Sequence, residues 1–104
     1  MAKKLSQNQV DAYRRDGFLG GIPVLNASEV NRFRAELEVF EATTGKPLDF
    51  PERSKSYLLF GWADAIVHHP AVLDAVEDVI GPDILVYHTT MNIKEARNKA
   101  YIPW

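Results

Sequence analysis

The first half of the chain contains two segments in which apolar residues recur at helical spacing behind clear start signals. Ser6 and Gln9 have the spacing of a capping box, and Gly17 supplies a stop for the helix that follows. Asn26 and Glu29 repeat the box ahead of a second apolar stripe. The pattern therefore predicts two capped amphipathic helices.

Helical spacing continues in the second half of the chain until a different pattern begins. The stretch 45–56 contains two prolines and mixed charge, which is typical of a loop. Apolar faces of helical period then follow in 61–69 and from Pro70 to Gly81, and proline suits a first helical position. Ile84–Ile93 is rich in β-branched and aromatic residues, so we predict a strand there.

This predicted order leaves the strand short of partners. A lone strand has unpaired backbone N–H and C=O groups, and few other segments of the chain have strand character. We therefore expect either that the native protein continues beyond Trp104 or that the strand pairs with another copy. The second alternative describes a small non-catalytic interaction module that associates through the exposed strand 84–93.

Composition narrows the class of protein further. The 104 residues, 46% of them hydrophobic, suit one globular unit spanning 1–104. The net charge of −2 predicts neither a nucleic-acid nor a membrane surface, and the absence of cysteine excludes disulfides, cysteine-based zinc sites and thiol catalysis. No apolar core of a signal peptide follows the basic N-terminus, so we expect a cytoplasmic protein.

Histidines are the first candidates for chemistry. The adjacent His68 and His69 would point about 100° apart on a helix, so they suit a helix end and an N-cap better than a chelate. A non-haem iron site needs two histidines and a carboxylate that converge, and the chain has no His-x-Asp spacing. We therefore assign no metal ligand and no catalytic residue.

The predicted strand has a polar face formed by His88, Thr90 and Asn92. The opposite face is mostly apolar and is formed by Tyr87, Thr89, Met91 and Ile93. Two interpretations are open: a half-exposed strand whose polar face lies in water, or a face that lines a barrel lumen and holds a small polar ligand. Lys55 likewise suits either a solvated loop or a point charge that binds a carboxylate.

Six segments of the chain share their order and spacing with one known family. They are Gln9–Phe18, Val24–Glu29, Lys55–Phe60, Pro70–Ile84, Ile93–Glu95 and Tyr101–Trp104. Together they resemble the N-terminal part of phytanoyl-CoA dioxygenase-like proteins. The strongest similarity is the helix that ends in Gly-Pro-x-Ile and leads into the first barrel strand.

The resemblance implies an α+β fold, with N-terminal helices followed by the first strands of a double-stranded β-helix (jelly-roll) whose barrel is incomplete in this chain. It implies an oxidoreductase, a dioxygenase that uses Fe(II) and 2-oxoglutarate to hydroxylate small organic molecules. In that family a His-x-Asp motif follows closely upon the position of Trp104. We therefore expect an N-terminal fragment that lacks the iron ligands, binds no cofactor by itself and is inactive.

The resemblance also assigns cofactor-binding residues. Lys55 matches a position that contacts 2-oxoglutarate in some relatives, and Thr90, with His88 and Asn92 on the same face, matches the strand that lines the cosubstrate pocket. Tyr57 departs from the pattern, because many bacterial relatives have histidine there. A complete enzyme assembled from two chains, the second of which supplies the iron ligands, is a further alternative.

Overall fold

A computed structural model describes residues 3–97, which form four α-helices and one turn of 3-10 helix. The helices are α1 (Gln7–Asp16), α2 (Ala27–Thr44), α3 (Gly61–Val67) and α4 (Pro70–Ile80), with the 3-10 turn at Ser56–Leu58 ahead of α3. The helices predicted from the apolar pattern are all present. None of the helices in this part of the chain is both long and apolar enough to cross a membrane.

Capping explains why the first two helices begin and end where the pattern predicts. The Ser6 side chain accepts from the Gln9 backbone N–H, and the Gln9 side chain accepts from the Ser6 N–H, which completes the box. α2 begins with the same reciprocal pair. Gly17 and Gly45 close the two helices at φ 81° and 73°, a left-handed conformation that glycine adopts without strain.

The helices pack around two small apolar clusters. The first cluster joins the N-terminal segment and α1 to α4, and its buried members are Leu5, Val10 and Ala75. The second cluster joins α2 to α3, and its buried members are Phe33, Trp62 and Ala63. Phe60 extends the second cluster, since its ring stacks on Trp62 at 5.7 Å and meets Phe40 edge-on at 4.8 Å.

A carboxylate of α4 holds the N-terminal segment beside the first cluster. Asp78 accepts hydrogen bonds from the backbone N–H groups of Lys3, Lys4 and Leu5, each at 2.7 Å. The Lys3 ammonium also lies 2.7 Å from the Glu77 carboxylate. These N–H donors favour the ionised carboxylate, and the Leu5 N–H contributes most to holding the pKa of Asp78 below its ordinary value.

The prediction of an α+β fold with jelly-roll strands is wrong for this structure, because residues 3–97 contain no β-strand. Ile84–Ile93 lies in an irregular segment, 82–95, whose only pairing within 3–97 is an isolated antiparallel bridge between Ser54 and Thr90. A strand needs a continuous ladder with a neighbour. β-branched composition suits extended backbone but supplies no neighbour. Tyr101–Trp104, one of the six segments that carry the family resemblance, lies outside the described residues.

Candidate functional site

One backbone contact attaches the 82–95 segment to the loop that precedes α3. The Lys55 N–H donates to the Thr89 carbonyl at 2.8 Å, and the Met91 N–H donates to the Arg53 carbonyl at 2.9 Å. Between these two hydrogen bonds, Ser54 lies opposite Thr90. This bridge contact, formed by 53–55 and 89–91, brings Lys55 and Thr90 to the same place although they are distant in sequence.

The bridge contact is anchored from both of its sides. Ser56, which is only 2% exposed, donates from its hydroxyl to the Glu52 carbonyl at 2.9 Å and starts the 3-10 turn. Tyr57 and Met91 both pack against the second cluster. The loop and the 82–95 segment therefore share one apolar support.

Lys55 has an unusual backbone conformation for a residue with a side chain. It is left-handed, with φ 53° and ψ 44°, while its side chain is exposed. The left-handed region costs a non-glycine residue about 1–2 kcal/mol. The Lys55 N–H bonds to Thr89 and its carbonyl accepts from Leu58 at 2.9 Å, so contacts on both sides maintain the conformation. Such strain is concentrated at functional positions in proteins.

The other three predicted site residues lie next to this contact and face outward. His88, Thr90 and Asn92 are exposed, whereas the alternating Thr89 and Met91 are half-buried, which is the pattern of an extended chain. The His88 Nε2 and the Thr90 hydroxyl lie 2.7 Å apart. Within 3–97 the polar face thus lies in water, as in the first of the two interpretations.

Tyr87 does not follow the predicted division into a polar and an apolar face. It is 90% exposed and stands next to the exposed His88, so the alternation changes phase between them. Leu85 is 88% exposed as well. Ile84 and Val86 are half-buried, so the covered positions are even-numbered before His88 and odd-numbered from Thr89 onward.

Two residues of the bridge contact, Arg53 and Thr89, have buried polar atoms without partners within 3–97, which no sequence pattern indicated. Arg53 Nε, Thr89 Oγ1 and Trp62 Nε1 have no hydrogen-bond partner among the described residues. Arg53 Nε lies 3.9 Å from the nearest Asp49 carboxylate oxygen, and the arginine borders a cavity of about 270 Å³. An unpaired buried polar group costs about 1–3 kcal/mol of folding free energy, so these atoms destabilise the fold locally.

The donor set at the site suits a carboxylate and does not suit a metal. One ammonium, a hydroxyl, an amide and an imidazole offer a positive charge and several hydrogen-bond donors. Among residues 3–97, no three histidine, cysteine or acidic side chains are grouped closely enough to hold a metal ion. The described residues therefore do not fit iron, and no chemical step through iron can be assigned to them.

His68 and His69 lie at the α3–α4 junction, away from these residues in sequence. His69 is the N-cap of α4 and accepts from the Ala71 N–H, as predicted, and His68 lies 3.2 Å from Asp64 on α3.

Comparison with protein-family models, with curated proteins and with solved structures found no match to this chain. The family resemblance is therefore carried by the six sequence segments alone and stays a prediction.

Proposed function

We propose that this chain forms the 2-oxoglutarate-facing part of a non-haem Fe(II)- and 2-oxoglutarate-dependent dioxygenase that hydroxylates small organic molecules. The observation that supports this most is the bridge contact. The resemblance assigns Lys55 and Thr90 to one cosubstrate pocket. Two backbone hydrogen bonds, from Lys55 to Thr89 and from Met91 to Arg53, hold the two residues close to each other. Cytoplasmic localisation is part of the proposal.

Within this proposal the chain binds and orients the cosubstrate. The Lys55 ammonium neutralises one carboxylate, and the hydroxyl of Thr90 and the amide of Asn92 donate hydrogen bonds to it. His88 holds the Thr90 hydroxyl through their 2.7 Å contact. When bound in a complete enzyme, 2-oxoglutarate supplies the two electrons for oxygen activation.

The resemblance alone leads us to expect no cofactor on the isolated chain, but the bridge contact brings Lys55 and Thr90 together, so we now expect weak binding of 2-oxoglutarate without iron. Calorimetric titration with 2-oxoglutarate tests this binding role. Lys55→Gly removes the ammonium and also relieves the left-handed strain, so we expect affinity to fall at least about tenfold, the loss of one charged hydrogen bond. We expect the stability of the same variant to be unchanged or raised by up to about 1 kcal/mol. Unfolding therefore cannot explain the loss of binding.

Two control variants complete the titration. Lys46→Gly removes an exposed lysine from another part of the loop and should leave affinity unchanged, whereas Lys55→Arg keeps the charge and should retain most of it. Absence of 2-oxoglutarate binding to the wild type, or equal affinity in Lys55→Gly, would contradict the role of Lys55.

A second experiment tests whether the chain by itself catalyses turnover of 2-oxoglutarate. Because the described residues do not fit iron, we expect the 104-residue chain supplied with Fe(II) and 2-oxoglutarate to form no succinate above a metal-free blank. Succinate above that blank would show that the chain holds its own iron and would overturn the proposal that it only binds the cosubstrate.

A second candidate function is self-association through the first half of the 82–95 segment. Leu85 and Tyr87 are 88% and 90% exposed, and the residues 82–88 make no backbone hydrogen bond within 3–97. The occupant we propose is a second copy of the chain, paired antiparallel. Antiparallel pairing over 82–88 places Asp83 of one copy opposite Tyr87 of the other, whereas parallel pairing in register sets two Asp83 side by side.

Sedimentation velocity over a range of concentrations distinguishes this candidate. We expect a dimer in the wild type and a monomer in the double variant Leu85→Ser/Tyr87→Ser. Phe50→Ser removes a similarly exposed apolar residue outside the segment and should leave the dimer intact. A wild type that is monomeric throughout, or a Phe50 variant that dissociates equally, would reject pairing through 82–88.

A further inference from the structure

The two ring nitrogens of His69 form hydrogen bonds with two different helices. Its Nδ1 accepts a hydrogen bond from the Ala71 N–H at 3.1 Å, which caps α4. Its Nε2 lies 2.6 Å from the Glu29 carboxylate on α2. The side chains of His69 and Glu29 are only 18% and 24% exposed, so water competes weakly for this contact.

These contacts determine the tautomer. The Ala71 N–H can only donate, so Nδ1 must present its lone pair. The ring proton of the neutral imidazole is then on Nε2, where it is donated to Glu29. A doubly protonated ring would direct its Nδ1–H against the Ala71 N–H. The geometry therefore requires neutral His69 with the proton on Nε2.

Glu29 is itself part of the start of α2. One of its carboxylate oxygens accepts from the Asn26 N–H at 3.1 Å, while Asn26 accepts from the Glu29 N–H at 2.8 Å. The other oxygen meets His69. The capping box of α2 and the N-cap of α4 are thus one continuous hydrogen-bonded unit, although the two helices are separated by the loop and α3.

The first turn of α4 depends on His69 for a specific reason. Pro70 has no N–H, and the Val72 and Leu73 N–H groups donate to the His69 carbonyl at 3.0 and 2.9 Å. Ala71 is then the first-turn donor left for the imidazole. Loss of the Nδ1 acceptor would leave this one N–H without a partner in the helix.

We propose that His69 is a pH-sensitive joint between the two helix starts. The neutral ring fastens the first turn of α4 to α2; a proton on Nδ1 releases the Ala71 N–H and converts the contact with Glu29 into an ion pair. Arg32 on α2 is the other charge that acts on Glu29, and His68, the neighbour of His69 in sequence, pairs with Asp64 on α3. Acid thus loosens α4 at its first turn without separating it from α2.

Nitrogen-15 NMR of the full chain tests the tautomer. At about pH 7.5, where imidazoles are ordinarily neutral, we expect a His69 Nδ1 resonance of the unprotonated type and an Nε2 resonance of the protonated type. The opposite tautomer, or a ring already doubly protonated at this pH, would overturn the proposal.

Amide exchange of Ala71 tests the release. When the pH is lowered from about 7.5 to about 5.5, the Ala71 protection factor should fall about fivefold, the fold-change that matches a typical N-cap contribution of about 1 kcal/mol. Glu29 remains ionised there, because the Asn26 N–H, and then His69, hold its pKa below the ordinary value. An Ala71 protection factor that is the same at both pH values would contradict the joint.

Three variants distinguish the roles of the two ring nitrogens of His69. In His69→Asn the amide oxygen can replace Nδ1, so Ala71 should stay protected at both pH values. In His69→Gln the longer amide can reach Glu29 but cannot cap, so protection should be low at both. His68→Asn, the matched control, should keep the wild-type response. Loss of that response in the His68 variant, or its persistence in His69→Asn, would assign the effect elsewhere.

Discussion

The helical part of the chain and the 82–95 segment differ in how they satisfy their backbones. Ser6, Asn26 and His69 cap the starts of α1, α2 and α4, and Gly17 and Gly45 close the first two helices. The 82–95 segment is attached to this helical part by two backbone hydrogen bonds at the bridge contact. A helix finds its partners within a few residues, whereas an extended chain depends on a neighbour.

Burial follows the same division. The two apolar clusters lie among the helices, while Leu85 and Tyr87 are almost fully exposed. Stability should therefore reside in the helical part and binding in the other. Within the helical part, we expect a buried aromatic residue, a carboxylate and a helix-ending glycine to contribute to stability in decreasing order.

Truncation in the second cluster should have the largest effect. Phe33 is 6% exposed at the α2–α3 contact, and Phe33→Ala should lower the free energy of unfolding by about 3–5 kcal/mol, the usual cost of a buried phenylalanine. Val39 on the same helix is 66% exposed, so Val39→Ala should change it by less than about 0.5 kcal/mol. Urea denaturation followed by circular dichroism measures both, and equal effects would place the core elsewhere.

Asp78 should give the next effect, and its size depends on pH. Its pKa is lowered in the folded chain, so its contribution is complete above the unfolded-state value of about 3.9 and is lost as pH falls through the folded value. Asp78→Asn should therefore melt below the wild type at pH 7, and the two melting temperatures should converge below about pH 4.

The exposed Asp83 provides the control for this experiment. Asp83→Asn should melt with the wild type at every pH. A constant difference between Asp78→Asn and the wild type, independent of pH, would show that the carboxylate does not hold the N-terminal segment in the way the three N–H donors indicate.

A pair of glycines should give the smallest effect. Gly17 has φ 81°, so Gly17→Ala should cost about 1–2 kcal/mol from backbone strain, since the site itself has open space. Gly20 lies in similarly open space without a positive φ, and Gly20→Ala should be neutral or stabilising by up to about 1 kcal/mol. Equal losses in the two variants, measured by thermal melting, would remove Gly17 as a required helix stop.

The helix starts could be predicted because their signals are local. Ser6 and Gln9 bond across three residues, and the cap formed by His69 reaches only Ala71. The bond from His69 to Glu29 spans 40 residues, so no local pattern indicates it. The hydrogen bonds from the N-terminal segment to Asp78 span 73 to 75 residues, so no local pattern indicates them either.

The candidate site was predicted only in part. The resemblance named Lys55 and Thr90 together, and the bridge contact places their backbones side by side. It did not indicate the left-handed backbone of Lys55, nor the unpaired buried atoms of Arg53 and Thr89, because these follow from packing. The strand prediction for Ile84–Ile93 was wrong because composition describes a preference and not a partner.

We infer that the bridge contact supplies every backbone hydrogen bond that fastens the 82–95 segment to the helical part of residues 3–97. Residue-resolved amide hydrogen exchange of the monomeric chain tests it most directly. We predict protected amides at Lys55 and Met91, and amides at Leu85 and Tyr87 that exchange at nearly their intrinsic rates. Leu85 and Tyr87 amides as protected as those of the helices, or an unprotected Lys55 amide, would contradict the claim.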